Sequence, residues 1–165
     1  MSNEHNPMMP NETPPAASLF GAEWDQKERT YRERAKEALE SNKQILFKLL
    51  ASRGITTVIV NFDGYGDSGQ IEDIVAQIGS ATVELPGEQI EILDPIWDSG
   101  EVSQKTCVPR DAIEAMSYDF LEQTHSGWEN NDGAYGDFTF DVAEGTITLD
   151  YNERYTSSEN YTHEF

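Results

Sequence analysis

The sequence predicts an α+β fold: a long N-terminal helix, then an antiparallel sheet of about four strands in two hairpins, with a second helix between them. Three observations carry this. From about Ala22 to Ser52 the chain has no proline and no glycine, and Ala, Glu, Lys, Arg, Gln and Leu dominate, all good helix formers. The β-branched run Ile55-Thr56-Thr57-Val58-Ile59-Val60 leads into Phe62-Asp63-Gly64-Tyr65-Gly66-Asp67-Ser68-Gly69-Gln70-Ile71-Glu72. A near echo, Trp128-Glu129-Asn130-Asn131-Asp132-Gly133-Ala134-Tyr135-Gly136-Asp137-Phe138, adjoins a second run that reads as strand. Both copies hold Asp-Gly followed by Tyr-Gly-Asp.

Residues 1–18 hold four of the seven prolines and almost no bulky apolar groups. They bury too little surface to offset the entropy of ordering them and read as a disordered tail. In the helix assigned to residues 19–53, the apolar positions Trp24, Tyr31, Ala35, Ala38, Leu39, Ile45, Leu46, Leu49 and Leu50 grow denser toward the end. The last turns are therefore expected in the core, with Gly54 as the stop. A helix of ~30 residues is ~45 Å long, more than the width of a domain of this size. Its first half is expected to project as an arm, to break near Ser41-Asn42, or to lie along an acidic domain; its many basic residues favour the last.

Ile55–Phe62 reads as a central strand and Asp63–Gly69, with three glycines, as a loop. Ile71, Ile74, Val75 and Ile78 have helical spacing, yet the echo, whose loop leads into the alternating Phe138-Thr139-Phe140-Asp141-Val142, favours a return strand for 70–78. Strand is the expectation. Residues 81–96 give short extended pieces broken at Pro86-Gly87 and Asp94-Pro95, an edge or a covering excursion, and residues 97–107 read as loop. Pro109 suits the first position of a helix reaching Thr124, with Ala112, Ile113, Met116, Phe120 and Leu121 on one face. Ala134–Val142, a turn at Ala143-Glu144-Gly145, and Thr146–Tyr151 form the second hairpin, and Phe165 is expected to fold back on the sheet. A second helix running the length of the sheet returns the chain to the first glycine loop, so the two acidic loops should meet.

The net charge of −20 is unevenly placed. Residues 1–53 hold eight basic and eight acidic side chains, whereas residues 54–165 hold only Lys105, Arg110 and Arg154 against 23 acidic ones. An acidic domain repels nucleic acid and anionic membrane and favours basic partners or cations; the same charge also serves solubility. The single cysteine, Cys107, allows no intramolecular disulfide, which fits a reducing compartment. The first residues carry neither a basic n-region nor an apolar h-region, and nothing approaches ~18 consecutive apolar residues. A soluble, cytoplasmic protein is the expectation, with no membrane contact and no direct nucleic-acid contact.

Asp63, Asp67, Glu129, Asp132 and Asp137 are hard oxygen ligands on glycine loops, which suits Ca²⁺ or Mg²⁺. The EF-hand register fails, however: with Asp63 at position 1, Tyr65 stands at 3, Ser68 at 6 and Ile74 at 12. One cysteine with His5, His125 and His163 makes no zinc spacing. Gly66-Asp67-Ser68-Gly69 resembles the nucleophile loop of trypsin-like serine proteases and suggests a Ser68/His125/Asp triad, but the chain is too short for two barrels. Loops without Lys or Arg, and bearing aspartates, do not cradle phosphate. No catalytic residue, metal or cofactor is assigned. Turn chemistry alone accounts for Gly64, Gly66, Gly69, Gly133 and Gly136, with Tyr65 and Tyr135 covering the sheet ends. Trp128 among polar neighbours has instead the look of a recognition loop. The candidate partner-binding residues are thus Asp63, Tyr65, Asp67, Trp128, Glu129, Asn131, Asp132, Tyr135 and Asp137.

The strings FDGYGDSGQIE (Phe62–Glu72) and GWENNDGAYGDFTFD (Gly127–Asp141), with Leu149-Asp150-Tyr151-Asn152-Glu153-Arg154-Tyr155, resemble a family of small acidic bacterial proteins of unknown function, often carried on mobile elements. The resemblance runs from residue 40 or so to residue 165. It implies a bacterial, intracellular origin, supports pairing of the two loops, and supplies no activity.

The leading expectation is a non-enzymatic protein-interaction module for a basic protein partner, including a nucleic-acid-binding protein whose DNA or RNA surface the acidic face imitates. The alternative is a metal-dependent or serine-type hydrolase centred on the two Asp/Gly loops. Oligomeric state is left open.

Overall fold

A computed structural model describes residues 16–165, with side chains from Gly21 onward. The tail expected at residues 1–18 lies outside the described residues as far as residue 15, and Ala16 already begins helix α1 (Ala16–Ser52). At 37 residues α1 is about 55 Å long. It ends as glycine dictates: Gly54, at φ 75°, donates its N–H to the Ala51 carbonyl at 3.0 Å.

The strands are β1 (Thr57–Tyr65), β2 (Ser68–Ile78), β3 (Ala81–Val83), β4 (Ile90–Pro95), β5 (Val102–Cys107), β6 (Ala134–Asp141) and β7 (Thr146–Glu153), with helix α2 (Pro109–Thr124) between β5 and β6. Five form an antiparallel sheet in the order β3-β2-β1-β6-β7, and β4 and β5 make a separate hairpin. Alternation decides the faces. Val58, Val60 and Phe62 of β1, Ile74 and Ala76 of β2, and Phe138 and Phe140 of β6 point inward and are buried. Over them lie Leu46, Phe47 and Leu50 from the last turns of α1, and Ile113, Met116 and Leu121 from α2. The α+β class and the sandwiched second helix are as the sequence predicts.

Several details differ. The sheet has five strands because Ala81–Val83 pairs with the end of β2. The expected loop at 63–69 is almost all strand, and only Gly66 and Asp67 turn. Their φ values, 56° and 64°, are both positive, the geometry whose twist matches a two-residue hairpin. Residues 70–78 are strand, as the echo indicated. Their helical spacing has a local cause: the register slips between Asn61 and Phe62, so that Phe62 faces Ile71 and Asn61 faces Asp73. Glu72 is the extra residue of a β-bulge, which brings Ile71 and Ile74, three apart, to one face. Residues 97–107 are not all loop either, since Val102–Cys107 pairs with Ile90–Pro95. That strand is polar apart from its ends, so it carries no apolar run to announce it.

Helix α1 does not break at Ser41-Asn42. Asn42 is buried, its Nδ2 donates to the Leu93 carbonyl at 2.9 Å, and its Oδ1 accepts from the Leu93 N–H at 2.7 Å. The side-chain amide stands where a neighbouring strand would, on the open edge of β4. Farther up, Trp97 from the β4–β5 turn packs against Trp24 and Tyr31, each at 5.2 Å between ring centroids. The first half of the helix therefore lies along its own hairpin through aromatic and amide contacts. Two of its own ion pairs, Arg32–Glu28 and Arg34–Glu37, stay within the helix. Residues 153–165 are exposed, so Phe165 does not fold back on the sheet. Among the described residues no helix is long and apolar enough to cross a membrane.

Asn42→Ala strands the N–H and carbonyl of Leu93 in a partly buried seam. It should lower the unfolding free energy by about 1–3 kcal/mol, read from urea denaturation.

Candidate functional site

The two glycine motifs meet. β1 and β6 pair with Asp63 opposite Tyr135 and Gly64 opposite Ala134. After α2, Gly127 at φ 80° turns the chain, and Trp128 passes its indole across the ends of β1 and β2. A Cβ on Gly64 would stand 2.6 Å from Trp128 Cζ3, and one on Gly69 would stand 2.7 Å from the same atom. A Cβ on Gly133 would fall on the Gly64 carbonyl oxygen. The Asp67 N–H donates to the Glu129 carbonyl at 3.1 Å, and Phe62 meets the indole edge-on at 5.6 Å. These glycines are required by close approach as well as by turns. Trp128 is only 5% exposed, so it is a clamp inside the fold and not the surface anchor the sequence suggested.

The remaining candidates divide. Asp63 is held by Arg154, whose Nη1 donates to Asp63 Oδ1 at 2.8 Å and to the Gly64 carbonyl at 3.2 Å. The same guanidinium lies 4.5 Å from the centre of the Tyr135 ring. Asp132 Oδ2 accepts from Thr156 Oγ1 at 2.9 Å. Asp67 and Asn131, at φ 64° and 60°, fill left-handed turn positions that Asp and Asn tolerate. Glu129 is partly buried, and its Oε2 is buried without a hydrogen-bond partner. Burial pushes the nearby Tyr151 phenol up, and the Glu153 and Glu129 carboxylates push it the same way. Tyr65 and Tyr135 are exposed, at 67% and 45%. Asp137 lies on the face of the sheet opposite the core.

That outer face holds what the motifs alone do not reveal. Both helices pack on the inner face, and the outer side chains stay exposed or half-exposed. The registers place Asp73, Asn61, Asp137 and Asp150 side by side in one line across β2, β1, β6 and β7. No basic residue stands in that line. Asp137 and Asp150 are directly opposite each other, where like charges are destabilising. Asp73 and Asp150 lie outside the nine candidates; alternation in β7 shows Asp150 facing outward, but only the register aligns it with Asp137.

The model of a family of unknown function, DUF6878, matches residues 38–165. The chain belongs to that family. No curated protein and no solved structure matches it. The DUF6878 match takes in both motifs, the whole sheet and the buried end of α1, beginning just before Asn42.

The structure does not bring together the Ser68 and His125 of the suggested triad. Ser68, across from Tyr65, lies on the outer side of the sheet, while His125 stacks flat on the inward-facing Tyr151 at 3.6 Å. Among the described residues no group of three His, Cys, Asp or Glu side chains is placed to hold a metal ion.

A separate cleft of about 290 Å³ opens between α1, β4 and α2, with Leu39, Ile92 and Met116 in its wall and Asp94, Lys105 and Asp119 around it. Desolvation raises the Asp119 carboxyl above its usual range, and Asp94 and Glu122 raise it further. Folded Asp119 therefore keeps its proton to higher pH than the unfolded chain does. Its favourable contribution is complete below the usual carboxylate pKa and is lost as pH rises through the folded value.

Two outcomes follow from this geometry. Gly64→Ala should destabilise the protein by about 1–3 kcal/mol in denaturant titrations, because the added Cβ would press on the buried Trp128 ring and on the Glu129 backbone. Asp119→Asn should leave stability unchanged near pH 3 and raise it near pH 7, seen as a pH-dependent difference in Tm.

Proposed function

We propose that this DUF6878 protein is a non-enzymatic interaction module that captures a basic protein on the open face of its sheet. The observation that carries this reading is the transverse line Asp73, Asn61, Asp137, Asp150, with no cation in it. Solubility asks only for scattered charge. Two carboxylates set directly opposite each other work against the sheet's stability, and a basic side chain laid between them turns that repulsion into attraction.

The aromatic residues support the same reading. Tyr135 already carries a guanidinium on its ring, that of Arg154, and Tyr65 stands exposed at the same end of the sheet. Such rings hold Arg and Lys by their π faces. Asp67, Asp137 and the two tyrosines form the accessible part of the site, joined by Asp73 and Asp150. Asp63, Trp128, Glu129, Asn131 and Asp132 shape the loops beside it. The sharpest form of the proposal is a nucleic-acid-binding partner whose phosphate-reading residues the aspartates engage instead.

The test is the double variant Asp137→Asn/Asp150→Asn, which leaves the strongly turned loops untouched. It should stabilise the fold by about 0.2–1 kcal/mol in urea titrations. It should also weaken capture of basic proteins from the native host, shifting their elution to lower salt. Unchanged capture would overturn the proposal.

A further inference from the structure

We infer that the partner docks as an added β-strand along β7, its residues alternating between basic side chains on the aspartate face and apolar ones on the core face. This rests on the reading of the acidic face as a capture surface. It comes from a difference between the edges of the sheets.

An exposed strand edge is a template for another chain unless it is blunted. On β2, Ala76 and Ile78 pair with β3, the Ile74 N–H donates to Asp73 Oδ1 at 2.9 Å, and the Ile71 N–H donates to the Tyr118 hydroxyl at 3.0 Å. The bulge at Glu72 interrupts that edge as well. Asn42 closes the edge of β4, and β5 carries Lys105, the residue type that commonly guards an edge.

β7 has no such cap, bulge or lysine, and its only charges, Asp150 and Glu153, turn away acidic strands while admitting basic ones. Its eight residues, Thr146–Glu153, include no proline, lysine or glycine, and its register with β6 runs without a slip. Among the described residues it pairs with β6 alone. The Arg154 N–H donates to the Gly133 carbonyl at 2.9 Å, which sets the phase of the ladder. Hydrogen-bonded pairs alternate in an antiparallel ladder, so Asn152, Asp150, Thr148 and Thr146 turn their backbone groups toward β6. The N–H and carbonyl groups of Ile147, Leu149, Tyr151 and Glu153 consequently point outward.

The side chains specify the occupant. On the outer face an incoming strand lies beside Thr148, Asp150 and Asn152, at the end of the aspartate line. On the inner face it lies beside Ile147, Leu149 and Tyr151, which pack on the core yet remain half-exposed. A strand alternating basic and apolar residues satisfies both faces and the outward amides together. A second copy of this chain fits poorly, since pairing β7 with itself brings Asp150, Glu153 and two net charges of −20 together.

The probe is an octapeptide alternating arginine and valine, presented to the full chain. Its controls are the same peptide N-methylated at alternate residues and a version with glutamate for arginine. Fluorescence anisotropy and amide hydrogen exchange are the readouts. The arginine–valine peptide should bind with salt-sensitive affinity, lose about tenfold or more on N-methylation, and fail with glutamate. The amides of Ile147, Leu149, Tyr151 and Glu153 should exchange more slowly in the complex. Binding that ignores N-methylation and leaves those four amides unchanged overturns the added strand while the acidic capture surface stands. Failure of every peptide to bind overturns the added strand, while the capture surface stands or falls with the Asp137→Asn/Asp150→Asn variant. A concentration-dependent dimer protecting the same amides overturns the choice of occupant.

Discussion

The indole of Trp128, seated on the bare backbone of Gly64 and Gly69, is the contact on which the rest of the structure depends. It joins the turn of the first hairpin to the segment entering the second, and Gly133 then passes over Gly64 closely enough to exclude any side chain. With those ends fixed, β6 meets β1 at one register only. A slip of one residue would carry Phe138 and Phe140 to the solvent face and Asp137 into the core. The alignment of carboxylates on the outside is thus held by a packing contact on the inside. Arg154, just past the end of β7, reinforces it from the outer side by bonding to Asp63 and the Gly64 carbonyl.

Much of the fold was legible in the sequence because it rests on local rules. A run without proline or glycine gave α1, Pro109 gave the start of α2, and the echo of the first motif resolved Gln70–Ile78 as strand against its own periodicity. What escaped depends on partners far away in the chain. The bulge at Glu72 imitates a helical repeat, and only pairing with β1 reveals it. β5 is too polar to be seen without β4. Asn42 looks like a helix breaker until Leu93 lies beside it. Trp128 looked like a surface anchor because its sequence neighbours are polar, yet the glycines singled out in the motifs were the signal: backbone without side chains leaves room for one large ring. The aspartate line was the least legible, because its members come from four strands and share no motif.

Placement, more than quantity, gives the charge its meaning. Asp132 is met by Thr156 and Asp63 by Arg154, whereas the outer row opposes the carboxylates of Asp137 and Asp150 across β6 and β7. The DUF6878 match takes in that row together with the clamp that aligns it.

The hydrogen bond from Ile71 to the Tyr118 hydroxyl has a consequence for motion. It couples the margin of β2 to α2, so that opening this margin breaks a bond to the helix as well. β7 is joined to the same helix by another kind of contact, the flat stack of His125, at the end of α2, on Tyr151. Opening of the sheet is thus resisted by a directional hydrogen bond at one margin and by ring packing at the other.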